Sequence, residues 1–331
     1  MNPEKISDYL NTYKHMIASR YTDHLQADAA QRGEVFFYIP SSGHEATAVI
    51  ANHLNEYDWL HLHYRDRALA YARGVTYETV FNGLFSRKNS NSEGRRMPAF
   101  PCDRSLNILS TPTLVGSNAL QAAGVAHSIK ESVDNAIIIV SVGDGSTQQG
   151  DFYEAIAEAS RHHLPILFLI EDNKFALSTP TTGNTFYSLP DGSKPDNFYG
   201  ININRINGTD VIEADVKIKE CIDSIRDDKK PQIVLFNVER LASHTNADDQ
   251  SVYRSKEDLS EATKNSDPCA NLRNSLLEAG VNTNQLELIE ADVQKKIDHA
   301  FNVARNGDTP EPKFSAKRAL PAQKSEYTGA S

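Results

Sequence analysis

The chain has 331 residues, 39% of them hydrophobic and 24% charged, enough to bury a sizeable core and ordinary for a soluble globular protein. A formal net charge of −10 disfavours nonspecific attachment to nucleic acid or to an anionic membrane, and no apolar run approaches the length of a membrane span. The amino terminus lacks a signal peptide's apolar core and is acidic early, so the cytoplasm is the expected location; Cys102, Cys221 and Cys269 lie too far apart to suggest a zinc knuckle or a disulfide framework.

Residues 1–32 read as a helix with Ile6, Tyr9, Leu10, Tyr13, Ile17 and Tyr21 in a loose amphipathic stripe, suited to packing or to a subunit contact. Ser41-Ser42-Gly43-His44-Glu45-Ala46 reads as a turn and a helix start, with Ser as the cap, Glu in the first turn and His44 solvated or capping. Between Trp59 and Arg67, His61 and His63 alternate as strand residues do, and with no third ligand nearby they are expected to be structural. Residues 89–104 are rich in Asn, Ser, Gly, Arg and Pro and read as a surface loop, where Arg95 and Arg96 either line an entrance or are simply solvated. Residues 116–130 carry Leu120, Ala123, Gly124 and Ala126, a small-residue helix packed closely on a neighbour.

The densest signal follows. Ala136 to Val142 and Pro165 to Ile170 are short continuous apolar runs, as a parallel sheet covered on both faces requires. Between them Phe152, Ala155, Ile156 and Ala159 recur at helical spacing, with Asp151 near the amino end where the helix dipole favours a carboxylate. In such a strand–helix–strand crossover the loops after the two strands leave the same carboxyl edge, where open α/β sheets bind ligands. The first loop is Val142-Gly143-Asp144-Gly145-Ser146; the second is Glu171-Asp172-Asn173-Lys174-Phe175, with Asn173 28 positions after Gly145. Asp144 and Asn173 offer hard oxygens that suit octahedral Mg²⁺ when phosphate oxygens and water complete the shell, and the glycines let the backbone approach a diphosphate. A GDG sequence alone is also a good turn, and the distant Asn after a second buried strand makes the pattern specific.

Residues 181–199 should form a loop over the site, 201–206 a strand, Val211 to Arg226 a helix and Gln232 to Val238 another strand. Glu239 to Ser255 is long, polar and placed after a strand, as an active-site loop is. Leu259 to Ala304 reads as helical, and 306–331 as an extended or disordered arm.

The two loops resemble the cofactor motif of thiamine diphosphate-dependent enzymes, GDG followed at a distance by Asn. Over roughly Phe36 to Asn302 the chain is similar to the alpha subunit of the decarboxylating first component of 2-oxo acid dehydrogenase complexes, closest to the branched-chain 2-oxo acid and pyruvate types. That resemblance implies an α/β thiamine diphosphate-binding fold, a mainly parallel sheet flanked by helices with a helical C-terminal tail. It divides the chain into a helical segment (1–35), the cofactor-binding domain (36–256), a helical region (257–305) and the tail (306–331). The implied cofactors are thiamine diphosphate and Mg²⁺. Asp144, Asn173 and the carbonyl of Phe175 would hold the metal, with Gly143, Gly145 and Ser146 beside the diphosphate. Tyr64-Arg65 would grip that diphosphate, a role suited to the planar guanidinium fork. Thr111 and Thr113 would lie against the aminopyrimidine. Arg240 would steady the diphosphate and its loop, and His244 would face the reacting carbon as the catalytic acid or base.

The resemblance further implies an α₂β₂ enzyme, in which a beta subunit supplies the Glu that activates the aminopyrimidine and a lipoyl-bearing acyltransferase receives the acyl group from the 2-oxo acid substrate. Several positions depart from the family pattern: His44, Asp172 for the first of two Asn, Gln148-Gln149, Ser243, Thr245, and Val115-Gly116 where some branched-chain members hold potassium. Two alternatives stand beside this reading. One is the alpha subunit of an acetoin-cleaving dehydrogenase, and the other is a non-catalytic scaffold subunit of the same fold.

Overall fold

The computed structural model describes residues 1–98, 100, 102–132 and 134–311. Its strands are β1 (Trp59–His61), β2 (Ile138–Gly143), β3 (Ile166–Asp172), β4 (Phe175–Ala176), β5 (Thr179–Pro180), β6 (Asn197–Phe198), β7 (Ile201–Asn207) and β8 (Gln232–Asn237). Six of them form one sheet in the order β1-β2-β3-β8-β7-β6, while β4 and β5 make a separate antiparallel hairpin. The pairings from β1 through β7 are parallel, with Ile138 opposite Ile166 and Leu167 opposite Gln232, and β6 closes the edge antiparallel to β7.

The continuous apolar runs serve two layers at once, because successive strand side chains point to opposite faces. Ile137, Ile139, Leu167, Leu169, Val234 and Phe236 belong to one core layer. Ile138, Val140, Ile166, Phe168, Ile170, Ile233 and Leu235 belong to the other.

The helices are α1 (Pro3–Gln31), α2 (Arg67–Arg73), α3 (Tyr77–Leu84), α4 (Ser117–Ile129), α5 (Gly150–His162), α6 (Val211–Asp228), α7 (Lys256–Asn265), α8 (Pro268–Glu278) and α9 (Thr283–Arg305). The first layer is covered by α1, α2, α6, α8 and a 3-10 segment, Glu45–His53, and the second by α4 and α5. A third cluster joins the far end of α1 to α3 and α9. Among the described residues no helix is long and apolar enough to cross a membrane. The sheet being parallel, β1, β2, β3 and β8 all release their chains at one edge, at residues 62, 144, 173 and 238.

Three expectations are corrected. The Ser41–Ala46 stretch does not open a Ser-capped helix: the 3-10 segment begins after His44 with no side-chain cap. Asp23 claims the serines instead, its Oδ2 accepting from the Ser41 amide at 2.8 Å and the Ser42 hydroxyl at 2.7 Å. His44 is neither solvated nor capping but completely buried. Strand alternation in the Trp59–Arg67 stretch stops at His61, because the chain must turn to start α2. The edge strand β6 lies within the 181–199 stretch expected as loop, whereas β5, α2 and α3 carried no expectation. Residues 312–331 of the expected arm lie outside the described residues.

Asp58 locks the strand edge remote from the loops. Its carboxylate accepts from the Ile137 amide (2.9 Å), the Asn55 amide (2.7 Å) and Arg226 of α6 (3.1 and 2.6 Å). The carboxylate is completely buried, so removing it strands a largely buried guanidinium and two amides. Asp58→Ala should lower the stability of the full chain by about 3–5 kcal/mol, read as a fall in the urea midpoint; a midpoint unchanged within error would refute the locking role.

Candidate active site

Asp144 leaves β2 as the first residue of a 3-10 turn and is buried. Its Oδ2 accepts from the Thr181 hydroxyl at 2.7 Å and its Oδ1 from the Gly145 amide at 2.9 Å. Gly145 is required by packing: a Cβ there would meet the Ala176 Cβ of β4 at 2.6 Å. Asn173, also buried, accepts the Phe175 amide on Oδ1 at 3.2 Å, across a turn in which Lys174 takes a left-handed φ of 67°. Asp172 accepts the Lys174 amide at 2.9 Å. Burial first, then the Asp144 carboxylate, push the Asp172 carboxyl up to about 6. The two loops therefore carry a close pair of acids that a divalent cation would relieve.

Arg65 and Arg240 face the opposite electrostatic problem. Both are almost fully buried, and neither forms an ion pair among the described residues. Arg65 donates to the Pro40 carbonyl and to His244 Nδ1 (3.0 Å) and O (3.1 Å). Arg240 donates to the Leu177 carbonyl (2.8 Å) and the Tyr253 hydroxyl (2.6 Å). The Nε atoms of both are buried without a hydrogen-bond partner. Two desolvated cations with unused donors make an anion receptor. Tyr64 lies within electrostatic reach of Asp144, Glu171, Arg65 and Arg240 together, so the acidic and basic halves converge on one place.

His244 lies in the loop after β8. Asp248 Oδ2 accepts the His244 amide at 2.7 Å and the Tyr253 hydroxyl at 2.6 Å, so that Asp248, Tyr253 and Arg240 brace the loop. Arg65 donating to Nδ1 leaves the neutral ring's proton on Nε2. Burial, then Arg65 and Arg240, push the His244 ring down to about 3.

The remaining predicted residues divide. Thr111 is buried, its hydroxyl bound to the Leu62 carbonyl at 2.8 Å, and it lines a small cleft with His63, Tyr64, Gly116 and Ser146. Thr113 is exposed. The Phe175 ring packs 5.6 Å from the Arg240 guanidinium. Gly143 lies against His63, where an added Cβ would come within 3.3 Å of the ring. Arg96 donates to the Ser110 hydroxyl at 2.6 Å, whereas Arg95 is exposed and pairs with Glu93.

Sequence reasoning missed a buried network behind the loops. Glu171 Oε2 lies 2.5 Å from His44 Nδ1, its Oε1 lies 3.4 Å from His63 Nδ1, and His44 Nε2 lies 3.2 Å from Asn173 Nδ2. Burial pushes Glu171 up, but His63 and the His44 contact outweigh it and hold the carboxyl below its usual range. Burial also lowers the His44 and His61 rings below their usual range. Asp66 is raised well above its usual range by burial and then by Glu171. His61 hydrogen-bonds Gln121 at 2.9 Å, a structural role.

Residues 13–313 match the dehydrogenase E1 component family. The chain belongs to that family. It is 28% identical over 307 residues to the 2-oxoisovalerate dehydrogenase subunit alpha of Bacillus subtilis, covering 92% of each chain. It is 32% identical over 290 residues to the pyruvate dehydrogenase E1 component subunit alpha of Mycoplasma pneumoniae, 87% of this chain and 78% of that one. The pyruvate dehydrogenase E1 component subunit alpha of Staphylococcus aureus is 29% identical over 300 residues, 88% of this chain and 78% of its own. Membership implies thiamine diphosphate, and the residues fit it: unpaired buried guanidiniums for a diphosphate, close acids for a cation, and a Gly145 cradle that a side chain would fill.

Two outcomes follow from the electrostatics. By NMR titration of the cofactor-free chain, the His244 ring should stay neutral until the pH approaches 3, and inorganic diphosphate should raise its pKa by at least one unit, because the anion offsets Arg65 and Arg240; no movement would place the anion elsewhere. Asp172 has a folded-state pKa above its unfolded value, so the pair costs stability as pH rises from about 4 through about 6. Asp172→Asn should therefore stabilise the cofactor-free chain by roughly 2–3 kcal/mol at pH 7 and by nothing below pH ~4, measured by denaturant unfolding at both pH values.

Proposed function

We propose that this chain is the alpha subunit of a thiamine diphosphate-dependent enzyme that oxidatively decarboxylates a 2-oxo acid, branched-chain or pyruvate, and passes the acyl group to a lipoyl arm. One observation carries the reading: the buried Asp144 carboxylate, with Asp172 beside it, and two buried guanidiniums without an ion pair among the described residues, Arg65 and Arg240, with Asp144 and both guanidiniums within electrostatic reach of Tyr64. A magnesium diphosphate is a ligand with a cationic and an anionic half in that order. Asp144, Asn173 and the Phe175 carbonyl would hold Mg²⁺. Arg65, Arg240, Tyr64 and the backbone from Gly143 to Ser146 would hold the diphosphate, with Thr111 and Thr113 toward the aminopyrimidine.

When bound, thiamine diphosphate supplies the nucleophilic carbon and the electron sink for loss of CO₂. This chain's own residues do the rest. Arg65 positions His244 through Nδ1 and the loop carbonyl, so that Nε2 carries the exchangeable proton for acyl transfer. Asp248 and Tyr253 hold that loop without touching the ring nitrogens.

The rim of the site carries exposed Leu114 (68%), Val115 (44%) and Leu177 (58%). Apolar side chains beside a polar pocket suit burial under a second chain. The partner in this reading is a beta subunit in an α₂β₂ assembly that completes the site, with a lipoyl-bearing acyltransferase as the acceptor. The purified chain should be nearly inactive alone and should gain 2-oxo acid-dependent lipoyl acylation when its beta subunit is added. His244→Ala in the assembled enzyme should cut acyl transfer by about 10²–10⁴-fold while thiamine diphosphate binding persists. Full activity of the isolated chain would defeat the proposal, and parallel assays with pyruvate, branched-chain 2-oxo acids and acetoin assign the substrate.

A further inference from the structure

Asn173 presents two faces with opposite polarity. Its Oδ1 accepts the Phe175 amide at 3.2 Å, and its Nδ2 meets His44 Nε2 at 3.2 Å. The amide nitrogen has only protons to offer, so Nε2 must present its lone pair and the ring proton must sit on Nδ1. There Glu171 Oε2 receives it at 2.5 Å. His44 and Glu171 are both completely buried, so no water competes for these contacts. Rotating the amide by half a turn would set its NH₂ against the Phe175 N–H and its oxygen against the Nε2 lone pair. Both contacts would then repel, and the cost falls on groups already removed from water.

We propose that His44 is a positioning residue that locks the Asn173 amide, keeping its Oδ1 turned from His44 toward the Phe175 amide, where its second lone pair would be open to the metal of a bound metal diphosphate. This rests on the metal-diphosphate reading above. His44 touches neither metal nor cofactor; it transmits the polarity of the Glu171 anion through one N–H, one lone pair and one NH₂ to the amide oxygen, which accepts from the Phe175 amide and keeps a second lone pair. Outer groups that orient ligands in this way commonly change metal affinity 10–100-fold when lost. Glutamine can present a donor and an acceptor in the same order as the neutral ring, so His44→Gln should preserve the relay. His44→Leu fills much of the same space and presents neither.

The test uses the full-length chain with its co-purifying partner, Mn²⁺ as the metal probe, saturating thiamine diphosphate, and the electron paramagnetic resonance signal of free Mn²⁺ as the readout. Wild type with no cofactor-dependent Mn²⁺ binding sinks the metal-diphosphate reading itself. Given wild-type binding, His44→Gln should stay within about threefold and His44→Leu should weaken Mn²⁺ about 10–100-fold. In an Asn173→Ala background the His44→Leu effect should disappear, because the proposed route from His44 to the metal runs through that amide. Equal Mn²⁺ affinity in wild type and His44→Leu, or an undiminished effect without Asn173, overturns the proposal.

A second readout needs neither metal nor a variant that fits poorly in the core. Long-range proton–nitrogen spectra of the cofactor-free chain, with the His44 signals assigned by their loss in His44→Gln, should show the proton on Nδ1. A ring protonated on Nε2 would contradict the relay even if His44→Leu failed to fold.

Discussion

A desolvated carboxylate at the end of β3 governs how the site is put together. Glu171 is completely buried, and an anion in that place has to be hydrogen-bonded or it neutralises. Its two oxygens face His44, which leads into the 3-10 segment, and His63, which lies between β1 and α2. Asp66, one turn further along, is raised well above its usual range by burial and then by Glu171. One charge therefore fixes three chain segments against the carboxyl edge of the sheet. The loops that carry Asp144 and Asn173 are built on top of it. Gly43 is part of the same fit: its φ is 100°, and any Cβ would fall 1.6 Å from the Glu239 carbonyl of the loop after β8.

How much of this was legible in the sequence depended on the range of the interaction. The strands β2 and β3 and the helix α5 between them follow from local patterns: unbroken apolar runs, then Phe152, Ala155, Ile156 and Ala159 on one helical face. Asp144 and Asn173 were readable for the same reason, since each follows directly from a strand end. Arg65, Arg240 and His244 carried no local mark and were found through family resemblance alone. The His44–Glu171–Asn173 network was missed because its contacts span 127 and 129 residues, and Ser-Gly-His-Glu locally resembles a helix cap. A signal for Glu171 did exist. It has the strand parity of Leu167 and Leu169, which places a carboxylate on the covered face of the sheet, and a charge at a core position demands a partner.

The 3-10 form of Glu45–His53 has a similar origin. Glu45 is buried and held by Arg20 at 2.6 Å and by the Gly43 amide at 2.7 Å, while Asp23 takes the serine groups that would otherwise cap a helix. Tertiary demands on Asp23, Glu45 and His44 outweigh the local preference for an α-helix start. Propensity reads the backbone correctly only where nothing distant competes for the same polar groups.

The site is electrostatically incomplete in the chain by itself. On one side burial and then Asp144 push the Asp172 carboxyl up to about 6, and on the other burial and then Arg65 and Arg240 drive the His244 ring down to about 3. These displacements have opposite signs and a common cause, since like charges have been gathered and shielded from water on each side. A ligand bearing both a cation and an anion relieves both at once, which neither a free cation nor a free anion can do. Occupancy and folding stability are then linked, because whatever binds only the folded chain stabilises it in proportion to its affinity. In the proposed reading the strain held by the two charge groups would be converted into affinity for a metal diphosphate, and the relay proposed behind Asn173 would set the orientation in which that affinity is expressed.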